Sequence, residues 1–249
     1  MTTELDEQDG LVDAGFPRQF DLDETSVRDL NGFLHRELPG LIVKQEEGEA
    51  RIEVLNPGGR HSIAAGLDCP ATIDIQGHAG YFVAGMNKQA HVNVHGNVGW
   101  SVAENIMSGL VRVKGHASES AAASGQGGLV VIEGDASSRC AISLKGSQVI
   151  VAGSVGHFSA FMAQAGTLLV CGDAGANLGD SLYEAVIYVG GAIDSLGADA
   201  QEEPMEASDL EAVQGLLELA GLSGDPAAFR RVASARSLYH WNSEARQDY

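Results

Sequence analysis

The chain is poor in several things that would have pointed to familiar chemistries. Aromatic residues make up 6% of its 249 residues, and the charged fraction is 20% beside 44% hydrophobic. That balance belongs to a globular chain and not to a disordered one, but it leaves few large side chains for a thick core. Only three cysteines are present, Cys69, Cys140 and Cys171, far apart and without a CxxC pair. An iron–sulfur cluster or structural zinc held by this chain alone is therefore not expected, and reduced core thiols are. Basic residues are scarce: 15 Lys and Arg against 34 Asp and Glu give a net charge of −19, which argues against nucleic acid and anionic membrane as partners. No apolar run approaches the length of a membrane span, and Met1–Gly10 is acidic and polar, the opposite of a secretory leader. A cytoplasmic location is the expectation.

What the chain has in excess is glycine, 32 residues, and the glycines are ordered. Gly58, Gly77, Gly96, Gly115, Gly134, Gly153, Gly172 and Gly191 follow one another at intervals of nineteen. Seven places after each stand Ala65, Ala84, Ala103, Ala122, Ala141, Ala160, Gly179 and Ala198. Other columns of small residues, such as Gly80, Gly99, Ser118, Ser137, Gly156 and Gly175, keep the phase. Each repeat ends in an alternating β-branched pair, from Ile73/Ile75 and Val92/Val94 through Val149/Val151 to Ile187/Val189. A period of two marks a strand with one buried face, and the glycine after it lets the chain turn with φ > 0.

One such unit cannot enclose a core, but stacked copies can. Equivalent strands then lie side by side at about 4.8 Å in parallel sheets, with the small columns where the coil is narrow. The pattern predicts a mainly β protein, a right-handed parallel β-helix of nineteen-residue coils with short helical flanks. The divisions expected are an N-terminal helix and strand cap (1–57), the β-helix (58–200) and a C-terminal helical extension (201–249).

In the first flank, Thr25 or Ser26 caps a helix bearing Val27, Leu30, Leu34 and Leu38 and stopped by Pro39. Leu41–Lys44 and Arg51–Leu55 then read as a strand pair. In the last flank, Ser208 and Glu211 form a capping box for a helix stopped by Gly221. Asp225 and Pro226 start a third helix carrying Phe229, Val232 and Ala233. An aromatic tail, Tyr239-His240-Trp241, follows.

Candidate chemistry is sparse. The GxxG after Val149–Val151 and the paired glycines after Ile187–Val189 imitate nucleotide loops, but the next coil follows them and no helix does. His91 and His95 have a zinc spacing for a helix yet flank a strand. His78 and His116 share a column two coils apart, about 10 Å, too far for one metal. Asn97, Asp135, Asp173 and Asp194 follow or nearly follow the repeat glycines, where Asx residues favour turns. No catalytic, cofactor-binding or metal-binding residue is expected on this chain. Arg230, Arg231 and Arg236 form the one basic cluster, read either as a solvated helix face or as an anchor for an acidic partner surface.

The repeat block, in particular Gly77-His78-Ala79-Gly80-Tyr81-Phe82-Val83-Ala84-Gly85-Met86 and Gly172-Asp173-Ala174-Gly175-Ala176-Asn177-Leu178-Gly179, resembles the GXGXG domain family. That β-helix closes the large subunit of glutamate synthase and also occurs as stand-alone subunits. The segments Asn56–Leu67, Phe20–Asn31 and Phe229–Arg236 are similar to the stand-alone GXGXG subunit of N-methylglutamate synthase. The resemblance implies two partner chains: a class II amidotransferase-like subunit, and a glutamate-synthase-like subunit carrying FMN and an iron–sulfur cluster. This chain would hold them in register without cofactors of its own. Serines at 118, 137 and 147 depart from the glycine pattern and leave the subfamily open. The related C subunit of formylmethanofuran dehydrogenase or formyltransferase/hydrolase complexes is the alternative, and a free-standing β-helix is the third reading.

Overall fold

A computed structural model describes residues 18–44 and 50–236. The acidic start Met1–Gly10 and the Tyr239–Trp241 tail lie outside the described residues. The elements in chain order are β1 (Gln19–Asp21), α1 (Val27–Arg36), α2 (Leu38–Lys44), β2 (Ala50–Leu55), β3 (Ala71–Ile75), β4 (His91–Val94) and β5 (Leu110–Val113). There follow β6 (Leu129–Ile132), β7 (Lys145–Val151), β8 (Ala165–Val170), β9 (Val186–Val189), β10 (Ala200–Glu203), α3 (Ala207–Ala220) and β11 (Arg230–Ser234).

The strands β1 to β9 pair in parallel, each with the next. From β3 to β9 the register advances by one repeat per strand, as in Ile73↔Val92 and Val92↔Val111. A second ladder of single bridges links Ala79, Val98, Ala117, Ala136, Val155, Ala174 and Ile193. The result is a parallel β-solenoid of about seven turns. The alternating positions face inward as the sequence demands: Ile73, Val92, Val111, Val130, Val149, Leu168 and Ile187 form one buried file, and Ile75 to Val189 the next. Cys140 belongs to the inward file of Val83, Val102 and Ala121. Burial pushes its thiol up to about 12 and that of Cys69 up to about 11, so both are unreactive core groups.

The repeat glycines serve a different purpose from the one expected. Only Gly58 and Gly77 have positive φ; the six from Gly96 to Gly191 do not. They are glycine because consecutive coils touch there. A Cβ on Gly134 would lie 2.8 Å from the Gly115 carbonyl oxygen, and on Gly191 2.5 Å from that of Gly172. The same contact is a hydrogen bond, Gly134 N–H to Gly115 O at 3.0 Å, repeated from Gly115 to Gly191. Left-handed residues fall in other columns, among them the alanine column, Ala84, Ala103, Ala122, Ala141 and Ala160, with φ between 51° and 58°. In the first coil that place falls to Ala64 and not Ala65, since Ala84 N–H bonds Ile63 O where Ala103 N–H bonds Val83 O. In the last coil Leu178 pairs with Leu196, so Gly197, not Ala198, falls opposite Gly179. The coils at both ends are offset by one residue beneath an unbroken glycine count.

Both flanks differ from expectation in detail. Ser26, not Thr25, caps α1. Pro39 does not stop a helix but occupies the second position of α2, where its missing N–H costs nothing. Leu41–Lys44 is therefore helical and only Ala50–Leu55 is a strand; Leu38, Leu41 and Ile42 recur at helical spacing and pack on the core. At the other end α3 begins after Glu206, whose N–H donates to Asp209 at 2.9 Å, in place of a Ser208/Glu211 box. It ends, as expected, at a left-handed Gly221. Asp225 and Pro226 start only one 3-10 turn, Pro226–Ala228. Arg230–Ser234 is then a strand, not a helix, inserted antiparallel between β9 and β10. The open edge of the parallel stack overrides the local helical signal by offering a whole strand of unpaired backbone.

Candidate interaction surfaces

The residues following the repeat glycines form a ladder along the outside of the rod. The His78 Nδ1 accepts from Asn97 N–H at 2.9 Å, the Asn97 side-chain oxygen from His116 N–H at 2.9 Å, and the His116 Nδ1 from Asp135 N–H at 2.9 Å. Asp135 then accepts from Ser154 N–H, Ser154 from Asp173 N–H, and Asp173 from Ala192 N–H. These side chains bond the next coil, not their own turn. Of the residues that read as candidate chemistry, His78, Asn97, His116, Asp135 and Asp173 are thus connectors. Among the described residues no group of three or more His, Cys, Asp and Glu is arranged to hold a metal.

The outer face of the main sheet is divided. Its central outward file runs Asp74, Asn93, Arg112 and then Val131, Ile150, Leu169, Tyr188. The apolar half is covered by α3 through Val213, Leu216, Leu217 and Ala220, with Phe229 beside them and the partly buried Cys171 beneath. The polar half is open. There Asp74 is almost fully buried among Arg51 (2.7 Å), Asn93 (3.1 Å) and His95 (3.3 Å). Burial acts to raise its pKa, but these partners outweigh burial and hold the carboxyl below the ordinary range. His91 opens β4 and His95 follows its last residue, and of the two only His95 reaches Asp74.

The three arginines are engaged within the chain. Arg230 pairs with Glu202 at 3.2 Å and donates to the Gly191 carbonyl. Arg231 pairs with Glu203 and with Asp209, at 3.1 Å to the latter, where the Tyr188 hydroxyl also donates at 2.6 Å. Arg236 pairs with Asp199. They lie on and just beyond strand β11, and their charges close the C-terminal strap.

Another wall of the rod carries an aromatic file. His61, Tyr81 and Trp100 stack in a file, with ring centroids 4.2 and 5.3 Å apart and planes within 10° and 14° of parallel. Tyr81 is 47% and Trp100 51% exposed. The fold makes room for them: a Cβ on Gly99 would stand 2.7 Å from the Tyr81 ring, and one on Gly80 2.0 Å from the His61 Nδ1. The signal was the nineteen-residue interval between Tyr81 and Trp100 beside two glycines at the same interval.

The fold and these surfaces define a helically capped parallel β-solenoid with two exposed and chemically distinct walls. The chain belongs to the family of Protein GlxC of Rhizobium meliloti (strain 1021), with which it shares 49% identity over 230 residues, 92% of this chain and 98% of that one. Among solved structures, a chain of the formyltransferase/hydrolase complex FhcABCD of Methylorubrum extorquens, determined with methylofuran, is similar in fold. The TM-score is 0.51 at 21% identity, covering 69% of this chain and 77% of that one. The chain matches no protein-family model. Among the described residues no helix is long and apolar enough to cross a membrane.

Proposed function

We propose that this chain is the assembly subunit of a multi-subunit enzyme of the glutamate synthase type, N-methylglutamate synthase by the resemblance of its repeats and flanks. That enzyme converts methylamine and glutamate to N-methylglutamate and ammonia. On this reading a class II amidotransferase-like chain and an FMN and iron–sulfur chain carry the chemistry, and the β-solenoid fixes their separation. The observation that supports it best is the external ladder. His78, Asn97, His116, Asp135, Ser154 and Asp173 each spend an acceptor on the backbone of the next coil. Side chains fixed to the rod in this way stiffen it and are poorly placed to move protons. The fold shared with a subunit of FhcABCD agrees with a place in an assembly and keeps a formyltransferase/hydrolase type of complex as the second reading.

The test is native purification of the tagged chain from its source cells, with mass identification of the co-purifying chains and a visible spectrum. An amidotransferase-like chain together with a flavin chromophore on a third chain is the expected result. An amidohydrolase-like partner would replace the first reading by the second. A solitary chain turning over substrate would end both.

A further inference from the structure

The aromatic file stops where the chemistry changes. Phe82 N–H donates to Trp100 O at 2.8 Å, and one coil on Ser101 N–H donates to Glu119 O at 2.9 Å. Glu119 therefore occupies the rung after Trp100, about 4.8 Å along the rod. One face of the indole is taken by Tyr81, and the next rung on its other side is that of Glu119. Unlike Asp74, Glu133 or Glu203, Glu119 has no ion pair or side-chain hydrogen bond among the described residues. Half-exposed stacked rings, held together because Gly80 and Gly99 leave room for His61 and Tyr81, and an unpaired carboxylate on the next rung make a built seat.

We propose that the Trp100 face and Glu119 receive a cationic side chain, an arginine by preference, from a partner polypeptide. The ring face carries the negative lobe of the aromatic quadrupole, a planar guanidinium stacks on it, and the carboxylate takes its hydrogen-bonding edge. Tryptophan, tyrosine and arginine are the residues on which interface energy concentrates. A chain of net charge −19 draws such a partner in and repels both a second copy of itself and the phosphates of a nucleic acid. The proposal rests on the assembly reading for the existence of a partner chain and not for the chemistry of the seat.

Trp100 and Trp241 are the two tryptophans of the chain, so full-length Trp241→Phe reports on Trp100 alone. Its fluorescence is titrated with blocked homopeptides of arginine, lysine and glutamate and with oligo-dT. Saturable quenching is expected with arginine, more weakly with lysine, and not with glutamate or oligo-dT. The arginine affinity falls by roughly tenfold in Glu119→Gln and in Tyr81→Ala. It is unchanged in Asp194→Asn, a carboxylate elsewhere on the rod, and largely restored by Tyr81→Phe. Equal quenching in Glu119→Gln, or stronger quenching by oligo-dT or the acidic peptide, overturns the proposal. In source cells Trp100→Ala in the tagged chain should lose the co-purified partner while circular dichroism is unchanged. If the wild-type chain purifies alone, the assembly reading fails while the titration still decides the seat; if partners stay bound to Trp100→Ala, the seat is not where they dock.

Discussion

Arg112 on β5 donates to the carbonyl of Ala220, the last residue of α3, at 3.0 Å. These residues are 108 apart in sequence. The guanidinium also pairs with Glu133 at 2.9 Å, and Glu133 takes Lys114 at 2.6 Å. A helix ends in carbonyls without intrahelical partners and with partial negative charge. Gly221 turns the chain out of α3, and a cation fixed to the sheet holds that helix end at the boundary between the covered apolar half and the open polar half of the sheet's outer face.

Removing that cation should loosen the helix without unwinding the rod. Arg112→Met leaves the stem and deletes the charge-assisted bonds. It is expected to cost about 1–3 kcal/mol of α3 docking. Hydrogen exchange should quicken across Ala207–Ala220 while β3 to β5 keep their protection. Uniform loss of protection in both regions would show that α3 and the solenoid unfold as one unit.

Asn31 closes the opposite end. Its side-chain NH₂ donates to Ser62 O at 2.8 Å and its oxygen accepts from Ala64 N–H at 3.0 Å. Ala84 and Ala103 give the same N–H to the preceding coil, and the first coil has none. The amide imitates the missing rung. Asn31→Ala leaves two backbone groups without partners and should destabilise by about 1–3 kcal/mol, whereas Asn31→Gln rescues only in part because the reach is wrong. Urea unfolding of the three chains measures this; equal midpoints would mean that water replaces the amide freely.

The architecture was legible because a rung repeats its environment, and a repeated environment selects the same residue every nineteen places. The reason for each selection was less legible. Glycine stands at Gly134 for closeness and not for a turn, and alanine stands at Ala122 in a backbone region that glycine prefers. A linear pattern does not separate the two causes, and an equal glycine interval conceals the one-residue offsets at Ala64 and Gly197. The strand at Arg230–Ser234 was hidden because its partner is the edge left by β9, while Asp225 and Pro226 announce a helix locally. The Asp74 cluster and the aromatic file join residues nineteen or more positions apart, so no single segment of the chain displays either.

That distinction between the two columns can be measured directly. Gly134→Ala places a methyl 2.8 Å from the Gly115 carbonyl oxygen and equally close to the His116 Nδ1, which the Asp135 N–H holds in place. The coils must part, at an expected cost of about 1–3 kcal/mol or more. Ala122→Gly loses a buried methyl worth about 0.8 kcal/mol and relieves a left-handed residue costing about 1 kcal/mol, leaving stability within about 1 kcal/mol of the parent. Thermal unfolding of the pair gives the comparison. A Gly134→Ala chain as stable as Ala122→Gly would refute the contact explanation of the repeat.

Acid should find the open half of the sheet first. Burial raises the pKa of Asp74 and of Glu133, but Arg51, His95 and Asn93 for the first, and Lys114 and Arg112 for the second, hold both below the ordinary range. A carboxylate with a depressed folded pKa contributes stability that is fully present above its unfolded value, near 4. That stability is lost as pH falls through the folded value, because the unfolded chain takes up the proton first. Asp74 is the more buried of the two and should dominate. Urea midpoints of the parent chain should drop more steeply below about pH 4 than those of Asp74→Asn, and the two curves should converge in acid. Arg51 is largely exposed, so added salt should narrow the gap at neutral pH. Parallel curves with a constant offset would mean that Asp74 acts through shape and hydrogen bonding alone and that its charge is not what anchors Arg51 and His95 to this face.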